Sequence, residues 1–111
     1  MNAAHATTRP TDSALALIAQ AETALARVRQ GEDRPREALS AARAYLDGAA
    51  TEQAVRRAAS DSHTSASRAT TCSDARACHA AAYAAEAVLG DRGAEHCCLI
   101  DLRHLGIEVR P

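Results

Sequence analysis

The chain of 111 residues predicts an all-α fold, a small antiparallel bundle of about five helices with alanine-rich interfaces. Three observations predict it. Apolar residues make up 47% of the sequence, and most of them are alanine, the strongest helix former. They recur at spacings of three and four, not in the alternation that marks a strand. The periodic stretches open on Ser, Thr or Asp and close on glycine, the punctuation of helix ends. The connections between them are short, which favours antiparallel neighbours.

Met1 to Pro10 has no period and reads as a loose arm. Thr11 or Asp12 then caps a first helix reaching about Gln30, stopped by Gly31. Its buried stripe is Ala14, Ile18, Ala21, Leu25 and Val28, spaced 4, 3, 4 and 3, with Leu15 and Leu17 widening its beginning. Asp33 caps a second helix with Pro35 in its first turn, where the missing N–H costs little. Leu39, Ala42, Tyr45 and Leu46 form its inner face, and Gly48 ends it.

Thr51 opens a third helix, and Glu52 suits the positive end of its dipole. Val55, Ala58, Ala59, Ser62, Ala66 and Ala69 give it an inner face of small residues, which implies close backbone approach. Ser73 is the expected N-cap of a fourth helix, Asp74 to Leu89, closed by Gly90, with Cys78, Ala82, Ala85 and Leu89 inward. A fifth runs from about Gly93 to Leu105 with Ala94, Cys97, Cys98, Asp101, Leu102 and Leu105 inward, and Gly106 ends it. The expected organisation is thus an arm over 1–10, one helical domain over 11–106 and a tail over 107–111.

Composition limits the function classes. Net charge is −1, which gives no basic field for nucleic acid. No apolar run is long enough to span a bilayer, and the N-terminus lacks the apolar region of a signal peptide. A soluble cytoplasmic protein is expected, with its four cysteines as free thiols. The core is thin: Phe and Trp are absent and there are 2 tyrosines. Each buried bulky side chain contributes roughly 1.5–3 kcal/mol, whereas ordering costs about 1.5 kcal/mol per residue. Added burial through a homodimer is therefore expected.

The chemistry is concentrated in the second half. His63, Cys72, Cys78, His79, Tyr83, Glu86, His96, Cys97, Cys98 and His104 all lie between Asp61 and His104, whereas residues 1–60 contain one histidine and no cysteine. On the fourth helix Arg76, His79, Tyr83 and Glu86 follow at intervals of 3, 4 and 3, which puts them along one side. That row suits a small polar ligand, and equally a solvated stripe or a partner surface. Asp101 interrupts the inner stripe of the fifth helix and calls for a basic partner, Arg103 or an arginine from another helix.

His63, His79 and His96 sit on successive helices, but the chain has no CxxC, no HExxH and no i, i+4 histidine pair. No metal or cofactor is expected. Cys78 and His79 are adjacent and project about 100° apart on a helix, a poor geometry for proton sharing. Buried cysteine as a small hydrophobe is the ordinary reading.

The stretch EDRPREALSAARAYLDG, Glu32 to Gly48, resembles an alanine-rich helical type of immunity protein from bacterial toxin systems. The likeness rests on Asp33, Arg34, Pro35, Arg36, Ala38, Ala41, Ala42, Arg43 and Tyr45. It continues through His63 in AASDSHTSASR and through HAAAYAAEAV, His79 to Val88, with Tyr83 in the matching place. It spans roughly residues 30–90. Tyr45 stands where the family has a tryptophan, and the four cysteines are not part of its pattern. The resemblance implies a cytoplasmic protein that neutralises a partner toxin by direct contact.

The residues themselves leave another reading open: a small helical enzyme, a cyclase, isomerase or hydrolase, acting on a small metabolite between helices. In that reading His79 is the general acid or base and Tyr83 a hydrogen-bond donor, with His63, Glu86 and Asp101 as orienting groups. Arg76, His96, Cys78 and Cys97 are its ligand-binding candidates. A helical dimer with no small-molecule site is the third reading.

Overall fold

The computed structural model describes residues 10–28 and 33–108, and these form five helices: α1 Pro10–Leu25, α2 Arg34–Leu46, α3 Glu52–Arg68, α4 Cys72–Ala87 and α5 Arg92–His104. No strand occurs among them. Of the expected arm over 1–10, residues 1–9 lie outside the described residues, as does the stop at Gly31, and Pro10 already belongs to α1.

Most helix ends follow the local signals. Thr51 Oγ1 accepts from the Ala54 amide at 3.1 Å, and Asp91 Oδ1 accepts from Ala94 at 3.0 Å. Both satisfy an N–H that has no partner within the helix. Gly48 and Gly106 leave α2 and α5 with φ of +78° and +75°, a conformation costly for any residue with a Cβ. Asp33 occupies the position before α2 but makes no side-chain cap bond.

Both ends of α1 and the start of α4 differ from the sequence reading. α1 begins at Pro10, so Thr11 and Asp12 lie inside it and do not cap it. α1 ends at Leu25, not Gln30. Arg27 N bonds Ala24 O and Val28 N bonds Leu25 O, the tightened i to i+3 pattern of a closing turn. Arg27 Nη1 also donates to Leu105 O at 3.1 Å, so the side chain is used to tie this turn to the end of α5. Val28 still packs on the core, and its place in the apolar stripe therefore marks packing without marking helix. At α4 the cap is Thr71, whose Oγ1 accepts from Asp74 N at 3.1 Å. Ser73 already lies inside the helix. Two hydroxyl residues stand close together there, and the extended backbone of Thr71, with ψ of 154°, is the conformation an N-cap needs.

α4 is the central helix. Each of the other four packs on it, and they follow one another around it in the order α3, α2, α1, α5. Among the described residues the backbones of α3 and α5 do not approach each other, so the ring is open on that side. The sequence of α4 fits this position. Ala77, Cys78, Ala80, Ala81, Ala82, Ala84 and Ala85 are buried, and such small side chains let four neighbours approach one axis. Larger residues of the surrounding helices fill the space between, with Ile18, Leu39, Val55 and Leu102 fully buried. Cys98 Sγ reaches Ala80 O at 3.4 Å, and Ser62 Oγ donates to Cys78 O at 2.8 Å; both polar groups are thereby satisfied inside the core. Ile107 is buried, so the beginning of the expected tail packs on the bundle.

Candidate functional site

The polar row of α4 is the side of that helix left without full cover. Arg76, His79, Tyr83 and Glu86 are half-buried and face the gap between α3 and α5. His63 approaches from α3, and Cys97 and Asp101 from α5.

His63 and His79 meet Nδ1 to Nδ1 at 2.7 Å, and Glu86 Oε1 lies 3.1 Å from His63 Nε2. A carboxylate only accepts, so with both rings neutral His63 carries its proton on Nε2 and offers the Nδ1 lone pair. His79 must then donate from Nδ1, which leaves the lone pair of His79 Nε2 as the end of the chain. No hydrogen bond to that nitrogen occurs among the described residues. Tyr83 packs beside both rings, edge-on to His63 at 4.8 Å and stacked on His79 at 6.0 Å between centroids. Cys97 of α5 stands close enough to the Tyr83 hydroxyl to act on its ionisation.

Asp101 finds its basic partner in Arg76, Nη1 to Oδ1 at 3.2 Å, and not in Arg103, its neighbour on the same helix. Burial pushes the Asp101 carboxyl up from its ordinary range, against the opposing pull of Arg76, His79 and His104. Burial also lowers His79, helped by the proximity of His63 and opposed by Asp101. Tyr83 is raised, chiefly by burial. These shifts favour a neutral imidazole and a neutral phenol. The arrangement can accept and relay a proton, and it can hold a polar group by several hydrogen bonds.

Of the residues singled out in the sequence, His63, His79, Tyr83, Glu86, Asp101, Arg76 and Cys97 come together. His96 is exposed on α5 and shares no hydrogen bond or ring contact with the other histidines among the described residues. Cys78 is buried, about 100° around α4 from His79, and stays outside this row. Among the described residues no group of three or more His, Cys, Asp or Glu side chains is placed to hold a metal ion. All four cysteines are free, and burial drives Cys98 up to about 12, which makes it a poor nucleophile. His104, outside the expected site residues, stands close enough to Asp101 to act on its charge. The signal was its offset of three from Asp101, one face of the same helix.

Three other clefts are open surface grooves with neither histidine nor cysteine in their linings. The one between α2 and α3, about 440 Å³, is bordered by Glu37, Arg57 and Asp61. Another, about 570 Å³, lies by Leu17, Arg92 and Glu95. The third, about 410 Å³, lies by Leu99, Arg103 and Glu108. The α3–α5 gap is the place where the polar chemistry gathers.

The model of the family described as Imm-5 like putative immunity protein matches residues 3–102. The chain belongs to this family. No curated protein and no solved structure matches it significantly.

Proposed function

Taking membership of that family as the premise, we propose that the protein is a cytoplasmic immunity protein that neutralises a partner toxin by direct contact. The observation that carries the reading is the family match across most of the chain. The structure is compatible with it: a preformed helical surface with an uncovered polar row and no helix among the described residues long and apolar enough to cross a membrane. A rigid, preformed surface binds without a large ordering cost. The test is expression of candidate toxins from the same genome with and without this chain. Restored growth together with a complex that survives gel filtration is the expected result. Growth arrest unchanged by the protein, with no complex, for every candidate would remove the reading.

One observation favours a second reading, the small-metabolite enzyme. The chain Glu86–His63–His79 ends on an imidazole nitrogen free to act as a base, with Tyr83, Cys97 and Asp101 around it. Native mass spectrometry of protein purified without chelator is the direct check: a retained small molecule that is absent from His79→Gln would move this reading ahead.

A further inference from the structure

The open side of the bundle has a definite chemical preference. Its floor and walls hold two carboxylates, Glu86 and Asp101, against one guanidinium, Arg76. The lone pair of His79 Nε2 is directed by the hydrogen bonds at its other nitrogen. Each carboxylate is bonded through one oxygen in these pairs, and a carboxylate has about four acceptor sites. The groove therefore has spare acceptors and an excess of negative charge over positive. Its groups are also held in place, since the side chains of His63 and Glu86 are each 28% exposed and that of Asp101 15% exposed. Arg76 is the one anion-binding group there and its charge is already paired with Asp101, so the net charge and the lone pair of His79 Nε2 favour an N–H donor with positive charge.

We infer that the gap between α3 and α5 is the docking site for the partner and that it takes a cationic side chain, an arginine or lysine presented by the toxin. The guanidinium or ammonium donates to His79 Nε2 and to the second oxygen of Asp101, and Glu86 supplies the uncompensated negative charge beside it. Tyr83 and Cys97 form the wall against which the aliphatic stem lies. This inference rests on the immunity reading for its partner, but the site itself is testable without one.

The probe is n-butylguanidinium, titrated into labelled protein at pH 7.5 and followed by NMR at the side chains of His79, Tyr83 and Asp101, with butyrate as the anionic counterpart. Butylguanidinium should give saturable shifts at these residues, and butyrate should not. Glu86→Gln keeps an acceptor for His63 Nε2 while removing the charge, so it should weaken the probe about fivefold with the circular dichroism spectrum unchanged. Absence of saturable shifts overturns the inference. So do shifts centred on the Glu37–Asp61 cleft, butyrate acting at the same residues, or an affinity unchanged in Glu86→Gln. No toxin enters this experiment, so its failure leaves the immunity reading standing. Failure of toxin rescue, conversely, leaves a cation site that the titration has detected.

Discussion

His63 and His79 face each other through their Nδ1 atoms at 2.7 Å across the seam between α3 and α4. At that separation one nitrogen must donate and the other accept. Glu86 at the far side of His63 decides which, and so the protonation pattern of a ring on α4 is set by a carboxylate that does not touch it.

The first prediction concerns that pattern. Nitrogen-15 spectra at pH 7.5 should find His63 protonated on Nε2 and His79 on Nδ1. Replacing Glu86 by leucine removes the acceptor and should leave His63 a mixture of the two forms. A wild-type spectrum with the His79 proton on Nε2 would contradict the assigned order of the chain.

Acid should weaken the fold through His79. Its value lies below the ordinary 6.5, so the unfolded chain takes up this proton first as pH falls. The unfolded state then binds more protons, and stability is lost from about the ordinary value down through the folded one. Asp101 acts in the opposite sense. Its folded value is raised above 3.8, so the folded state is first to bind that proton and gains from falling pH. Urea midpoints at pH 7.5 and 5.5 should therefore fall for the wild type and fall less for His79→Gln, which lacks only the first contribution. An equal loss in the two proteins would show that His79 is not the group responsible.

The start of α4 separates two hydroxyls that look alike in sequence. Thr71 accepts from Asp74 N, whereas Ser73 is exposed within the first turn. Thr71→Ala should cost about 1 kcal/mol, and Ser73→Ala within about 0.5 kcal/mol of nothing, both read from urea unfolding. The reverse order would restore Ser73 as the cap.

Thiol labelling should rank the cysteines by environment. Cys72 is exposed and Cys98 buried, with burial pushing the latter to about 12. Only a thiolate reacts. A maleimide at pH 7.5 should modify Cys72 within minutes and reach Cys98 only when urea opens the bundle. Rapid labelling of Cys98 in the native protein would mean that the α4–α5 seam opens readily.

The helices were legible because their signals are local. Alanine spacing, Pro35, Thr51 and the glycines at 48 and 106 each act within a few residues, and the four-residue row on α4 is visible from its intervals alone. The end of α1 was hidden because Val28 keeps the apolar period while Arg27 turns the chain to reach Leu105, a contact no local pattern contains. The site was only half visible for the same reason. That Arg76, His79, Tyr83 and Glu86 share a side follows from helical geometry, but the approach of His63 and Asp101 depends on where α3 and α5 lie around α4. His96, by contrast, shares its helix with Asp101 and still points elsewhere. A five-residue offset leaves two side chains about 140° out of phase, so membership of one helix does not place them in one site.

The seam between α3 and α4 rests on small side chains, and Ser62 is where that dependence can be measured. It is fully buried and donates to Cys78 O at 2.8 Å, with Ala59 and Ala66 beside it on the buried face of α3. The Cys78 carbonyl lies within α4, where an intrahelical N–H also serves it. Ser62→Ala therefore removes a hydrogen bond without stranding the acceptor and should cost about 1 kcal/mol. Ser62→Leu inserts bulk where the two backbones are close and should cost about 1–3 kcal/mol or more. Because His63 is the next residue, the wider seam should also separate the two imidazoles. The leucine variant should accordingly lose the His63–His79 proton order in the nitrogen-15 spectrum, while the alanine variant keeps it. Equal stability of the two variants would mean that the seam has room to spare and that closeness of the backbones is not what brings the histidines together.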